Sequence, residues 1–149
     1  MLRAVLDTNV VLAAERSTHP QSPNGEIITR WRAGEFVWLV NVDLVTEYAE
    51  KLLEKGFDPH RVEIFVAGLL EFGEEVPIRF FHFRHYPVDA DDVAFLLVAL
   101  NGEATHLVTY DEHLKDVGVF YPEFTTCEPM TFLKDLRFDL QPRDKPAGA

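Results

Sequence analysis

The feature that most constrains this chain is a short apolar run that stops at an acid. Leu2-Arg3-Ala4-Val5-Leu6 leads into Asp7-Thr8-Asn9, and Val10-Val11-Leu12-Ala13-Ala14 resumes the apolar character. A run this short reads as a buried strand feeding a helix. In open parallel α/β sheets, ligands lie beyond the carboxyl ends of the strands. Asp7 therefore stands where such folds carry out their chemistry.

The same alternation continues along the chain. Val10–Ala14 begins a helix, 17–24 is a Pro-containing loop, and Gly25–Ala33 is a second helix starting after Asn24. Phe36–Val40 is a second strand, continuously apolar. Asn41 caps a helix running to about Lys55 and closed by Gly56. Asp58-Pro59 opens another, with Val62, Phe65, Val66, Leu69 and Leu70 on one face and Gly73 at its end. Val76–Phe83 reads as a third strand, its start made irregular by Pro77. Asp89 caps a helix over Val93–Leu100, apolar nearly all round and so expected inside the fold. His106–Thr109 is a fourth strand, 112–117 a short helix, Val119–Cys127 contains a fifth extended segment, and 129–136 is the last helix. Strands alternating with helices predict an α/β fold with a mainly parallel sheet of about five strands, covered on both faces. Residues 1–140 are expected to form one domain, and 141–149, rich in Pro and charge, a disordered tail.

Composition narrows the function classes. The chain of 149 residues is 47% apolar, with a formal net charge of −11. That charge opposes general polyanion binding. Cys127 is the one cysteine, which excludes an intrachain disulfide and fits a reducing compartment. The N-terminal apolar run is too short for a signal peptide, and no stretch reaches transmembrane length. A soluble, cytoplasmic protein without membrane contact is the expectation.

The acids carry the argument. Asp7 has two readings of equal weight from position alone: a cap for the helix that follows, or a metal ligand. Asp111 has the same setting, an apolar strand followed by Thr-Tyr-Asp and a helix. Asp89, Asp91 and Asp92 open an apolar helix, where each negative charge is favourable by up to about 1 kcal/mol without any function. Three acids in four positions also repel one another and make a nearby cation attractive. On a helix wheel, Glu47 falls opposite Val45, Tyr48, Ala49 and Leu52 and reads as a solvated surface acid. His82 and His85, in an extended or loop segment, do not share a face and are discounted as a zinc pair. Phe80-Phe81-His82-Phe83 reads as core rather than a base-stacking platform, and Cys127 as packed rather than reactive.

In combination these stretches resemble PIN domains. Val5-Leu6-Asp7-Thr8-Asn9-Val10-Val11-Leu12 resembles the family's opening motif, and Val45-Thr46-Glu47-Tyr48 its second. Asp89-Ala90-Asp91-Asp92-Val93-Ala94-Phe95-Leu96 is similar to the third, and His106-Leu107-Val108-Thr109-Tyr110-Asp111-Glu112-His113-Leu114 to the fourth. Cys127-Glu128-Pro129-Met130-Thr131-Phe132-Leu133 looks like the closing segment, so the resemblance spans about residues 2–136. It implies a three-layer α/β/α sandwich and metal-dependent ribonuclease chemistry. Carried over, the metal-binding and catalytic acids are Asp7, Glu47, Asp92 and Asp111. Asp89 becomes a helix cap or auxiliary, Asp91 an auxiliary, and Thr8, Asn9 and Thr109 steady the acids through hydrogen bonds. Tyr110 departs from the small residue often found before the fourth acid, and its ring is expected to narrow the site.

The carried-over ligands are hard oxygens, suited to Mg²⁺ or Mn²⁺. The implied reaction is in-line hydrolysis of an RNA phosphodiester, leaving a 5′-phosphate and a 3′-hydroxyl. With an acidic surface, RNA affinity rests on local cations, for which Arg16, Arg30, Arg32 and Lys51 are the candidates. The resemblance is to compact prokaryotic PIN proteins, including VapC-type toxins of type II toxin–antitoxin pairs, which implies a small antitoxin partner and a homodimer. A haloacid-dehalogenase-type phosphatase also begins with a strand-end aspartate, but it needs a second acid two residues later, where this chain has Asn9. A PIN-like module that binds RNA or protein without cutting remains the alternative.

Overall fold

The computed structural model describes residues 1–17, 19, 21–80 and 90–142. Among these residues, five strands form one parallel sheet flanked by seven helices. The strands are β1 (Arg3–Leu6), β2 (Val37–Val40), β3 (Glu74–Glu75), β4 (His106–Val108) and β5 (Thr125–Cys127). The helices are α1 (Thr8–Arg16), α2 (Pro23–Arg32), α3 (Val42–Glu54), α4 (Pro59–Phe72), α5 (Asp92–Asn101), α6 (Glu112–Gly118) and α7 (Pro129–Asp139). This is the α/β sandwich that the alternation predicts.

The sheet order is β3-β2-β1-β4-β5. The chain builds outward from β1 to β3, then returns to the other side of β1 and builds outward again to β5. β1 therefore lies at the reversal of strand order, and in open α/β sheets ligands bind beyond the carboxyl ends of the strands at such a point, here those of β1 and β4. Register fixes which residues arrive there: Leu6 pairs with Val108, and the Asp7 amide donates to Val108 O at 2.9 Å.

Because both faces of a parallel sheet are covered, its inner strands are buried on alternate residues in both directions. Ala4, Val5, Leu6, Trp38, Leu39, Leu107 and Val108 are all inaccessible to solvent. α5 packs across β1, β2 and β4, as an apolar helix inside the fold should. Trp38 anchors an aromatic cluster with Trp31 (4.9 Å, edge-on), Tyr48 (5.8 Å) and Phe65 (6.0 Å).

Several boundaries differ from the sequence expectations. α1 starts at Thr8, because Asp7 caps it. α2 starts at Pro23, two residues before Gly25, because the Ser22 hydroxyl accepts from Gly25 N at 3.0 Å and Pro23 fits the first helical turn. α3 follows the expectation, capped by Asn41 and closed by Gly56 at φ 88°. β3 is the main correction: pairing with Leu39 and Val40 falls on Glu74 and Glu75, ahead of Val76–Phe83. Val76 N still donates to Val40 O at 2.8 Å, but Pro77 has no amide to continue the ladder. Phe80 is exposed rather than core. Residues 81–83 of the expected strand, together with His82, His85 and Asp89, lie outside the described residues. The same is true of 143–149 in the expected tail.

Candidate active site

Asp7 sits where β1 turns into α1, and only 5% of its surface is exposed. Both carboxylate oxygens have protein donors: Thr8 N to Oδ1 at 2.8 Å and the Thr109 hydroxyl to Oδ2 at 2.6 Å. The two sequence readings of Asp7 are thus compatible, since a capping carboxylate retains a lone pair on each oxygen. Thr109 is fully buried, and its hydroxyl also accepts from Asp111 N at 2.9 Å. One threonine therefore ties the acid after β1 to the backbone of the acid after β4. Asp111 in turn caps α6, accepting from His113 N at 2.8 Å.

Glu47 is the residue that the helix wheel misplaced. It is half-buried, and Thr8 Oγ1 donates to its Oε2 at 2.9 Å. Burial pushes its carboxyl above the usual value, opposed by the Thr8 hydrogen bond and reinforced by the charges of Asp7 and Asp91. A wheel ranks positions by the apolar face that packs on the sheet. Glu47 instead faces the start of α1, which only the tertiary fold brings alongside α3.

The third motif divides. Asp91 is exposed, occupies the N-cap position of α5, and its charge reaches both Glu47 and Lys51. Asp92 begins α5 and is buried at 6% exposure. The expected cap, Asp89, is among the residues not described. Asn9 is exposed, and among the described residues its side chain makes no hydrogen bond, unlike Thr8 and Thr109.

The fold thus brings Asp7, Glu47 and Asp111 to one end of the sheet, with the α5 start beside them. Among the described residues, however, no three of His, Cys, Asp and Glu form a group set to hold a metal ion. The donor set still fits a hard divalent cation by chemistry, because every acid offers oxygen and none is replaced by sulfur or imidazole.

The candidate cations also separate. Arg30 is held by Glu26 at 3.0 Å and Glu35 at 2.9 Å, so its guanidinium is already paired within the fold. Glu26 also takes Arg137 at 2.7 Å, so this network staples α2 to α7. Arg16 and Arg32 are exposed. Lys51 is half-exposed and pairs with Glu54 at 3.2 Å; Glu54, with smaller contributions from Asp91 and Glu47, holds its ammonium more firmly protonated. The Tyr110 hydroxyl accepts from Asn24 Nδ2 at 2.9 Å, which ties its exposed ring to the start of α2.

Sequence reasoning missed the Tyr48 hydroxyl, which donates to Leu6 O from a fully buried position. Its ring belongs to the apolar face of α3, so no local pattern marks the hydroxyl as important. Cys127 is packed as expected, and burial pushes its thiol up to about 12. A groove of about 960 Å³ between α1, α2 and α4, with Ile28, Trp31, Ile64 and Phe72 among its walls, includes none of the four acids in its lining.

Three comparisons bear on this arrangement. None of the curated proteins matches the chain. Among solved structures, the chain is similar to one in the crystal structure of VapBC2 from Rickettsia felis bound to a DNA fragment from their promoter. The TM-score is 0.56 at 14% identity, covering 84% of this chain and 97% of the other. At that identity the likeness speaks for the fold. A family model for the PIN domain matches residues 3–113, which takes in all four acidic motifs. On that match, which covers more than half of the chain and agrees with the shared fold, the chain belongs to the PIN domain family.

Proposed function

We propose that the protein is a metal-dependent ribonuclease that hydrolyses RNA phosphodiester bonds. Asp7, Glu47, Asp92 and Asp111 are the residues that would hold Mg²⁺ or Mn²⁺. The observation that carries the reading is the Thr8–Glu47 and Thr109–Asp7 pair of hydrogen bonds. They orient two carboxylates, distant in sequence, at the reversal point of the sheet. Carboxylates gathered at partly buried positions are unfavourable as a group unless a cation joins them. When bound, the cation supplies charge neutralisation at the phosphate and a water of lowered pKa.

The chain's own residues do the rest. Thr109 fixes Asp7 Oδ2 and the Asp111 amide together, so the acids after β1 and β4 keep a constant separation. Thr8 orients Glu47 Oε2. Lys51, one helical turn beyond Glu47 and within reach of its charge, would meet a phosphate at the mouth. Arg16 and Arg32 are further phosphate contacts, and a net charge of −11 makes the protein a selective binder rather than a general one.

The family also supports a toxin role, with a small protein partner that holds the nuclease inactive and a homodimer as the working unit. The similar fold in a two-component assembly supports the partner. A second reading, a PIN-like module that binds without cutting, is favoured by one observation: the described acids do not already form a three-member group.

The test is cleavage of a mixed RNA pool with Mg²⁺, Mn²⁺ or EDTA, beside an Asp7→Asn variant. Metal-dependent cutting that EDTA and the variant both abolish is the expected result. Equal cutting by the variant would remove Asp7 from the site. Metal binding without cutting of any RNA would favour the second reading. Co-expression with the product of a neighbouring small reading frame, followed by co-purification, tests the partner.

A further inference from the structure

We propose that Tyr48 is a positioning residue for the reaction, its hydroxyl replacing the sheet hydrogen bond that β2 does not supply at the carboxyl end of β1; this rests on the nuclease reading above. β1 is paired unequally on its two sides. Against β4 the register continues to Leu6↔Val108, and the Asp7 amide donates one step further. Against β2 it stops at Ala4↔Trp38. Residues two apart in a strand face the same neighbour. The Leu2 carbonyl accepts from Val37 N of β2, so the Leu6 carbonyl faces that side too. There β2 has ended: its last residue is Val40, and Asn41 opens α3.

Leu6 is fully buried, and a buried carbonyl requires a partner. Tyr48 supplies it from α3. The residues on either side of this bond are the two acids, since Leu6 precedes Asp7 and Tyr48 follows Glu47. A second bond, Thr8 Oγ1 to Glu47 Oε2 at 2.9 Å, crosses the same gap. Together they brace the β1–α1 junction against α3, so neither carboxylate shifts without breaking one of them. The ring itself is held by Trp38 (5.8 Å), Phe95 (6.2 Å) and Phe65 (6.4 Å). Phenylalanine would keep that packing and lose only the hydroxyl.

The experiment compares wild type, Tyr48→Phe and Phe65→Leu. Phe65→Leu is the control, because it loosens the same aromatic cluster without touching Leu6 O. Mn²⁺ affinity is read by electron paramagnetic resonance on the metal alone, and kcat and KM on a cleavable RNA. Displacing a reacting group by about 1 Å costs on the order of a hundredfold, so Tyr48→Phe should lower kcat about ten- to a hundredfold with KM within about threefold. Its Mn²⁺ affinity should fall about threefold or more by the same displacement. Phe65→Leu should move the melting temperature but neither Kd nor kcat. Wild-type Kd and kcat in Tyr48→Phe would overturn the proposal, as would equal losses in Phe65→Leu, which would mark a bulk packing effect. Absence of Mn²⁺ binding by wild type would instead overturn the nuclease reading, and this proposal with it.

Discussion

Replacing Thr109 with valine removes one hydroxyl and leaves the shape of the side chain almost unchanged, so the cost is polar rather than a cavity. The residue is 0% exposed, and water does not enter in its place. Two groups lose a partner: the buried Asp7 Oδ2, which accepts at 2.6 Å, and Asp111 N, which donates at 2.9 Å. A hydrogen bond to a charged group contributes about 1.5–3 kcal/mol, and a stranded backbone amide costs about 1–3 kcal/mol. Asp111 is half-exposed, so its amide belongs at the lower end. The expected loss is about 3 kcal/mol. For a chain near 150 residues that is roughly 6–12 °C in melting temperature. Thermal and urea unfolding, with an unchanged m-value, would measure it. Thr109→Ser restores the hydroxyl and should recover most of the loss. A valine variant melting within about 2 °C of wild type, or a serine variant as unstable as valine, would refute the account of Thr109 as the tie between the two acids.

Glu47→Gln should abolish cleavage yet raise the melting temperature at pH 7 in EDTA. Burial holds the folded carboxyl above its ordinary 4.5, so the folded chain binds a proton at higher pH than the unfolded one. Stability from this group is full below 4.5 and is lost as pH rises through the folded value; a variant with the wild-type pH slope would contradict this. Lys51→Ala should reduce the salt dependence of RNA binding by about one unit of slope, whereas Arg30→Ala, already neutralised by Glu26 and Glu35, should leave it unchanged. An equal effect of both variants on filter binding across a salt series would reverse that assignment. Gly118→Ala would place a methyl 2.2 Å from Thr126 Oγ1 and 2.5 Å from its Cβ, on a stiff β-branched side chain. Overpacking of this kind should cost about 2 kcal/mol, and a melting temperature equal to wild type would show that α6 and β5 separate freely.

Where a feature depends on neighbours in sequence, it was legible. The strand over Ala4–Leu6 announces itself by a continuous apolar run, and the helix of Val62, Phe65 and Leu69 by its period. Asn41, Asp58 and Gly56 cap or close helices through bonds to residues two to four positions away. The Ser22-Pro23 start of α2 follows the same chemistry as Asp58-Pro59 and was readable, though the loop-like composition around it obscured the signal. β3 was harder, because Glu74 and Glu75 have poor strand propensity while the aromatic-rich stretch beyond Pro77 has high propensity. Pairing with β2, and the ion pair from Arg3 of β1 to Glu74, overrode that preference.

The sequence by itself determined the alternating elements, the parallel sheet and the presence of an acid at the ends of two strands, since each is written in local period or local capping. Only the tertiary structure decided which acids meet and how they are held. Glu47 turns inward because α1 lies against α3, Arg30 is withdrawn because Glu26 and Glu35 reach it first, and the Tyr48 hydroxyl matters because β2 leaves β1 early. A side chain's burial and charge partners come from residues distant in sequence, and no periodicity along one helix carries that information.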